Sequence, residues 1–370
     1  MLLRKRHSNI IAIQVQGLQP LSGRKTVFSS FPKQPATEEF IARIPKVELH
    51  LHLEGTVEPE LLVRLCAGRE GLSRRELNDL YQFSDFEGFL EAYRRVTGML
   101  TEPADFYHIT ANLCRRLAVQ GIIYAETIFT PQIHTRHGLE HEKVIGFILQ
   151  AIEEARLRGG PRVNLIYDTA RQWGAQAAAE CARLAASDRA VGRPVVGFGV
   201  GGDELSLPAD ELKEAFELAG GAGLKRYIHA GEVGGPESIW EALEVLGADR
   251  IGHGIAAAQD PVLLRKLAAG QVALDCCPTS NLMTRAVGSI EEHPLPVLME
   301  SGVPVTLGSD DPGFFGAWLQ DEIALCARTW RWTEETVLGI MRSGLRYSFL
   351  EPADKQRLTQ RLASRGETVD

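Results

Sequence analysis

A single pattern of hydrophobic and polar positions repeats along the chain from about Lys46 onward. Each repeat is a short apolar, β-branched run that ends in polar residues or glycine, followed by a longer stretch with apolar residues at helical spacing. The short runs predict buried strands, and the longer stretches predict amphipathic helices. The eight predicted strands are Val47–Leu53, Gly121–Thr130, Val163–Thr169, Pro194–Gly201, Arg226–Gly231, Arg250–Ile255, Val272–Cys277 and Pro304–Ser309.

Eight strands, each followed by a helix, are what a (β/α)₈ barrel requires. We therefore predict an α/β fold with a single TIM barrel and a helical insertion after the first strand, at about residues 58–120. A doubly wound open sheet is the alternative. Such a sheet usually has fewer strands, and it offers no reason for polar residues at the end of every strand.

The domain organisation follows from length and from the first residues. A chain of 370 residues could hold two domains, but α/β barrels often exceed about 250 residues as one unit, and no low-complexity linker interrupts this chain. We predict one barrel over residues 41–370 and a poorly ordered arm, or a wrongly assigned start codon, over residues 1–40. A signal for export is the alternative, although Gln14 and Gln16 interrupt the apolar run there.

Composition excludes several classes of partner. The net charge of −8 argues against a general nucleic-acid binder and suits a small, uncharged substrate. No apolar run approaches the roughly 18 residues of a membrane span, so we expect no membrane partner. Six scattered cysteines, two of them adjacent at Cys276 and Cys277, do not form a disulfide framework, and we expect a reducing, cytoplasmic location.

Histidines and carboxylates cluster at the carboxyl ends of the predicted strands, where barrel enzymes build their active sites. His50 and His52 are two positions apart on the first strand, so both side chains face the barrel mouth. His229 on the fifth strand and Asp310 after the eighth would complete the ligand set of a divalent ion such as zinc. Taken alone, the two first-strand histidines could equally be buried, hydrogen-bonded imidazoles.

Five motifs occur in a fixed order along the chain. They are HLHLEG at 50–55, GGDE at 201–204, HAGE at 229–232, GHG at 252–254 with CCPTSN at 276–281, and SDDP at 309–312. Together they resemble the adenosine deaminase family of the amidohydrolase barrels, over about residues 44–350. The resemblance implies hydrolytic removal of the 6-amino group of a purine, with a small molecule as the partner.

The resemblance also implies the metal site. In the family pattern, His50, His52, His229 and Asp310 would bind one Zn²⁺ per chain. The second predicted strand ends without a metal-ligand motif, and the fourth ends in two glycines without a lysine that could bridge two metals. Both features favour a mononuclear site.

The remaining motif residues would carry catalysis and bind the base. Glu232 would donate a proton to purine N1, because attack at C6 needs an electron-poor ring. His253 and Asp310 would orient the attacking water and take up its proton. Asp311 would contact N7, and the backbone N–H of Gly202 would contact N3.

The substrate end departs from adenosine deaminases proper, which usually carry an Asp for the ribose 5′-hydroxyl where this chain has Glu54. Glu54 looks more like adenine deaminases and aminofutalosine deaminases, whereas GGDE and CCPTSN look like nucleoside-type members. We expect Glu54, Arg171 and Phe86 to contact the substrate. The expected substrate is adenosine or a 5′-extended analogue such as 6-amino-6-deoxyfutalosine. Adenine deamination is the alternative, followed by another mononuclear amidohydrolase reaction or a non-catalytic binding role.

Overall fold

Eight parallel strands form one sheet in the computed structural model, which describes residues 34–67, 69 and 73–363. Each strand pairs with the next one along the chain. The strands are β1 (Lys46–His52), β2 (Ile122–Phe129), β3 (Arg162–Ala170), β4 (Val195–Gly201), β5 (Lys225–Ala230), β6 (Arg250–His253), β7 (Ala273–Cys276) and β8 (Val305–Leu307).

The sheet closes between its last and first strands. Leu51 of β1 forms a parallel bridge with Asp310, just beyond β8. The His52 N–H donates to the Asp310 carbonyl at 2.9 Å, and the Asp310 N–H donates to the His50 carbonyl at 3.1 Å. All eight predicted strands coincide with these strands, so the predicted (β/α)₈ barrel is confirmed and the open sheet is excluded.

Helices connect the consecutive strands, and the predicted insertion after β1 is helical. The helices are α1 (Glu38–Arg43), α2 (Pro59–Leu65), α3 (Arg74–Asp79), α4 (Phe86–Gly98), α5 (Pro103–Val119), α6 (Pro131–Arg136), α7 (His141–Leu157), α8 (Gly174–Ala190), α9 (Ala209–Gly221), α10 (Pro236–Glu244), α11 (Pro261–Gly270), α12 (Pro278–Met283), α13 (Leu295–Glu300), α14 (Pro312–Phe315), α15 (Leu319–Trp330), α16 (Glu334–Tyr347) and α17 (Pro352–Ala363).

The alternation of side chains along each strand separates the core from the barrel interior. Leu49 and Leu51 of β1 are fully buried in the large apolar core that the strands share with the helices. Burying one leucine side chain contributes about 1.5–3 kcal/mol. His50, between them on the other face, points into the barrel, so a period of two in sequence determines which residues can reach the site.

A buried arginine ties several strands together inside the barrel. Arg250 of β6 has no exposed surface, and its guanidinium lies 2.7 Å from a Glu126 carboxylate oxygen and 2.6 Å from one of Asp275. It also donates to the Leu49 carbonyl of β1 and stacks 4.0 Å from the Phe349 ring centroid. A fully buried cation needs such partners, and here they link β1, β2, β6 and β7.

The N-terminal prediction is only partly covered by the described residues. Residues 1–33 lie outside them, so the proposed arm over residues 1–40 stays a prediction. Residues 34–40 contact the barrel unit, because the Ala36 N–H donates to the Trp332 carbonyl at 2.9 Å and Phe40 of α1 is buried.

The structure bears on the expectations about a membrane partner and about disulfides. Within the described part of the chain, no helix combines the length and apolarity that crossing a membrane requires. All six cysteines lie in that part, are buried, and form no disulfide with one another. The cytoplasmic location itself stays a prediction.

Candidate metal centre and active site

Four of the predicted ligand atoms converge at the carboxyl ends of β1, β5 and β8. The Nε2 atom of His229 lies 3.1 Å from Nε2 of His50 and 3.3 Å from Nε2 of His52. The Asp310 Oδ1 atom lies 3.2 Å and 3.3 Å from the same two nitrogens. Ligands held about 2.05 Å from a tetrahedral zinc ion are separated by about 3.3 Å, so this donor set fits one Zn²⁺.

Two of these imidazoles are oriented by backbone carbonyls. His50 Nδ1 lies 3.3 Å from the Asp275 carbonyl, and His229 Nδ1 lies 3.1 Å from the Val200 carbonyl. A carbonyl can only accept, so Nδ1 carries the proton in both rings. The Nε2 lone pairs are then left for a metal, an arrangement common around zinc ligands.

His253 belongs to the same cluster but is placed differently. One of its ring nitrogens lies within 4.8 Å of ligand atoms of His50, His229 and Asp310. Its Nε2 atom is 3.8 Å from Asp310 Oδ2 and closer, at 3.4 Å, to Glu232 Oε2. This position between the candidate metal ligands and Glu232 suits a group that acts on a water molecule better than a fourth imidazole ligand.

The backbone is unusual at two of these positions. His253 and Asp310 have φ angles of 60° and 59°, in the left-handed region that residues other than glycine seldom adopt. Each such residue costs on the order of 1–3 kcal/mol and persists only where its surroundings hold it. For Asp310 the two backbone hydrogen bonds to β1 do so. Both side chains are thereby aimed into the barrel mouth.

Glu232 is held by side chains from the CCPTSN segment and the residues that follow it. Its Oε1 atom accepts hydrogen bonds from Asn281 Nδ2 and Thr284 Oγ1, both at 3.2 Å. The Asn281 amide also lies 3.3 Å from His253 Nδ1, so one side chain orients both predicted catalytic groups. Burial raises the pKa of Glu232 above its ordinary value, which favours the protonated form that can donate.

A second carboxylate shapes the loop that carries Glu232. The Glu204 side chain, from GGDE, accepts hydrogen bonds from four consecutive backbone N–H groups and one hydroxyl. These donors are Gly231, Glu232 at 3.2 Å, Val233 at 2.8 Å, Gly234 at 2.8 Å, and the Ser238 hydroxyl. Glu204 was predicted only as a member of the GGDE motif, and nothing in its local sequence pattern identifies these partners.

Asp311, the residue predicted to contact purine N7, lies beside Asp310 on the cavity wall. A side chain at Gly55 of HLHLEG would place its Cβ 1.9 Å from Asp311 Oδ1, so the close approach of these two motifs requires glycine there. Burial, and after it the charge of Asp310, raise the pKa of Asp311 well above its ordinary value. A protonated Asp311 can donate a hydrogen bond to a purine nitrogen.

One cavity of about 590 Å³ opens above these groups. His52, Glu232, His253, Asp310 and Asp311, all of them predicted site residues, form part of its wall, together with Gly202 beyond the end of β4. Further parts of the wall come from α4, which contributes Phe86, from α6, and from Ala170, Gln172 and Trp173. The cavity therefore extends well beyond the residues that would hold a purine ring.

Glu54 and Arg171, two of the predicted substrate contacts, do not belong to the described wall of this cavity. Glu54 is fully buried, and its Oε1 atom accepts from the Thr130 N–H at 3.2 Å and lies 2.9 Å from His134 Nε2. Arg171 is also buried and donates to the His229 carbonyl at 2.9 Å. Both side chains therefore form hydrogen bonds to residues of the cavity wall, Thr130 and His229, without lining the cavity themselves.

Asp168, which sequence analysis did not single out, is part of the wall instead. It lies near the end of β3 and is almost fully buried. Burial, and then the nearby charge of Glu54, raise the pKa of Asp168 to about 8. An acid near the end of a predicted barrel strand is the sequence signal that would have identified it.

Comparison with known proteins places these observations in a family. The model of the adenosine deaminase family matches residues 45–365. An aminodeoxyfutalosine deaminase from Streptomyces avermitilis is 38% identical over 86% of this chain and 90% of its own length, and an adenine deaminase from Hahella chejuensis is 34% identical over 88% and 98%. The crystal structure of an adenine deaminase from Arthrobacter aurescens superposes with a TM-score of 0.81 at 32% identity, covering 87% of this chain and 98% of that one. The chain therefore belongs to the adenosine deaminase family.

Proposed function

We propose that this protein catalyses the zinc-dependent hydrolytic deamination at C6 of a 6-aminopurine nucleoside, releasing ammonia. The similar proteins are deaminases by name, and this supports the type of reaction. The observation that carries the proposal is the convergence of His50, His52, His229 and Asp310 beside Glu232 and His253.

The metal and the protein would divide the chemistry. When bound, zinc supplies a Lewis acid that allows water to react as a nucleophile near neutral pH. His253 and Asp310, whose Nε2 and Oδ2 atoms are 3.8 Å apart, would orient the attacking water and take up its proton. A bound purine would cover these groups and exclude other water molecules from the reacting centre.

Glu232 would act on the ring. Donation of its proton to N1 would withdraw electrons from C6 and make that carbon susceptible to attack. The hydrogen bonds from Asn281 and Thr284 to Oε1 leave the other carboxyl oxygen of Glu232 nearest to His253. Asp311, when protonated, would donate to N7, and Gly202 would donate its N–H to N3, so that the base is held at three edges.

The nucleoside is favoured over free adenine by the room in the cavity. A volume of about 590 Å³, with α4 and α6 lining its outer part, leaves space for a group on N9 of the purine. Adenine deamination is the second candidate, because adenine deaminases are among the similar proteins and Glu54 stands where nucleoside deaminases usually carry Asp.

The test is to purify the zinc-loaded protein and measure loss of the 6-amino group by the change in purine absorbance. Adenosine, adenosine with an enlarged 5′ substituent, and adenine are compared by kcat/KM. We expect both nucleosides to be better substrates than adenine. A preference for adenine would favour the second candidate, and no turnover of any 6-aminopurine would contradict the proposed reaction.

Glu232→Gln tests the role of Glu232 as proton donor independently of zinc binding. Glutamine has a similar shape and can accept from Asn281 and Thr284, but it has no acidic proton, so we expect kcat to fall by about 10²-fold or more with zinc retained. Glu237→Gln, an exposed position on the neighbouring helix α10, is the matched control and should keep full activity. Near-normal turnover by zinc-loaded E232Q would rule out the assigned role.

A further inference from the structure

We propose that His293 is a positioning residue for the reaction: acting through Asn281, it keeps the acidic proton of Glu232 on Oε2, the carboxyl oxygen that Asn281 leaves free. This inference rests on the proposed function and concerns the same site. His293 belongs to none of the five motifs and does not line the active-site cavity. It is buried and lies two residues before the start of helix α13.

The two hydrogen-bond partners of His293 determine which of its ring nitrogens carries a proton. Burial, and then the nearby His253, lower the pKa of His293 to about 4, so the ring is neutral at neutral pH and has one donor and one acceptor. Nδ1 lies 3.1 Å from the Leu295 N–H, which can only donate, so Nδ1 is the acceptor. Nε2 therefore carries the proton and donates to Asn281 Oδ1, 3.2 Å away.

This donation fixes the orientation of the Asn281 side-chain amide. Asn281 is fully buried on α12, and an amide can be turned end for end with almost no change in shape. The turned amide would direct its NH₂ group at the Nε2–H of His293, so that two donors would face each other. With Oδ1 held toward His293, Nδ2 lies 3.2 Å from Glu232 Oε1 and can only donate to it.

The donor at Oε1 decides which oxygen of Glu232 carries the proton. Thr284 Oγ1 lies 3.2 Å from Oε1 but also 3.0 Å from the Ser280 carbonyl, and its single hydrogen can serve only one of them fully. Oε1 therefore depends on Asn281. In a protonated carboxyl group the C=O oxygen is the stronger acceptor, so a donor at Oε1 favours the proton on Oε2. Purine N1 would then take its proton from Oε2.

Loss of the His293 donor would release this arrangement. The Asn281 amide could then turn, and its Oδ1 would accept from a proton on Oε1 of Glu232. Glu232 would keep its place on the cavity wall but would hold its proton on the side away from purine N1. Proton donation would become slower, whereas the contacts that bind the substrate would stay the same. The expected signature is therefore a lower kcat with little change in KM.

Two substitutions of His293 separate this role from a structural one. His293→Gln places an amide nitrogen near the Nε2 position and keeps a donor for Asn281, whereas His293→Asn places an oxygen near the Nδ1 position and keeps an acceptor for the Leu295 N–H. We expect H293N to lower kcat by about tenfold or more, part of the contribution of a positioned acid, with KM changed by less than about threefold. H293Q should keep kcat within about threefold of the parent, although losing the Leu295 acceptor lowers its melting temperature. His108→Asn, exposed on α5, is the control and should change neither quantity.

A double-mutant cycle tests whether His293 acts through Asn281. Asn281→Ala removes the amide, so adding H293N to N281A should change kcat by less than about twofold. Losses that multiply in the double variant would overturn the proposal. Parent-like kcat in H293N, or a kcat that follows the melting temperature across all variants, would overturn it as well.

One readout needs no turnover and separates this inference from the proposed reaction. Heteronuclear NMR of the histidine rings in the zinc-loaded parent, with the His293 signals identified by their loss in H293Q, shows which nitrogen is protonated. We expect the proton on Nε2 at neutral pH, and this result would support the orientation of Asn281 even if no 6-aminopurine were turned over. A proton on Nδ1 would overturn the inference and leave the deaminase assignment intact.

Discussion

Glu204→Gln should reduce catalysis strongly without removing the metal, because Glu204 positions the loop that carries Glu232. One carboxylate receives five hydrogen bonds, two on Oε1 and three on Oε2. Glutamine has a single acceptor oxygen, and its NH₂ group is itself a donor. In either orientation of the amide, at least two of the five donors of this loop lose their acceptor and face another donor.

The magnitude follows from those donors. These donors are partly buried or, at Val233, exposed, so each costs less without its acceptor than the about 1–3 kcal/mol of a fully buried donor, and holding the loop in place around glutamine would cost on the order of 1–3 kcal/mol in all. Rearrangement of residues 231–234 toward water costs less, and we expect the loop to move. Because a shift of about 1 Å in a catalytic group can lower the rate by about 10²-fold, kcat should fall by about that factor.

The assay measures kcat, KM and zinc content for E204Q and for Glu217→Gln, an exposed carboxylate on α9 that serves as the charge-matched control. We expect E204Q to bind zinc fully and to lose kcat far more than it changes KM, while E217Q matches the parent. Glu204→Asp retains both acceptor oxygens and should recover part of the activity. If E204Q turned over within threefold of the parent, the loop would not depend on Glu204 and this reasoning would be wrong.

Two further predictions concern the metal and pH. His229→Ala should lower bound zinc, measured by elemental analysis, well below one per chain and lower activity in proportion, whereas the exposed His108→Ala should not; full zinc in an inactive H229A would contradict the ligand assignment. Burial raises the pKa of Glu322 from about 4.5 to about 8. The protonated carboxyl group therefore adds to the free energy of unfolding fully below about pH 4.5, and this contribution is lost as pH rises through about 8. Glu322→Gln should therefore melt at a higher temperature than the parent near pH 9, with a flatter dependence on pH, and parallel melting curves would argue against this pKa.

The sequence alone was sufficient for the architecture and for bringing together the side chains of the candidate metal centre. Strands and helices arise from local periodicity, and a spacing of two residues places His50 and His52 on one face of β1 wherever that strand lies. Barrel topology then brings the carboxyl ends of all strands to one mouth, so His229 and Asp310 reach the same point although 81 residues separate them along the chain. These predictions need only the fold and the strand register.

Side-chain partners were decided by the tertiary structure. Glu54 was expected at the substrate, but it lies against His134, 80 residues away. Arg171 supports His229, 58 residues away, and Glu204 binds a loop 27–34 residues further along. Each of these contacts depends on side-chain rotamers and on the packing of loops outside the repeating pattern of strands and helices. In such loops a long side chain can form its hydrogen bonds in several directions. Local periodicity specifies the face on which such a residue begins, whereas the groups that its charged end can reach are determined only once the surrounding loops have packed.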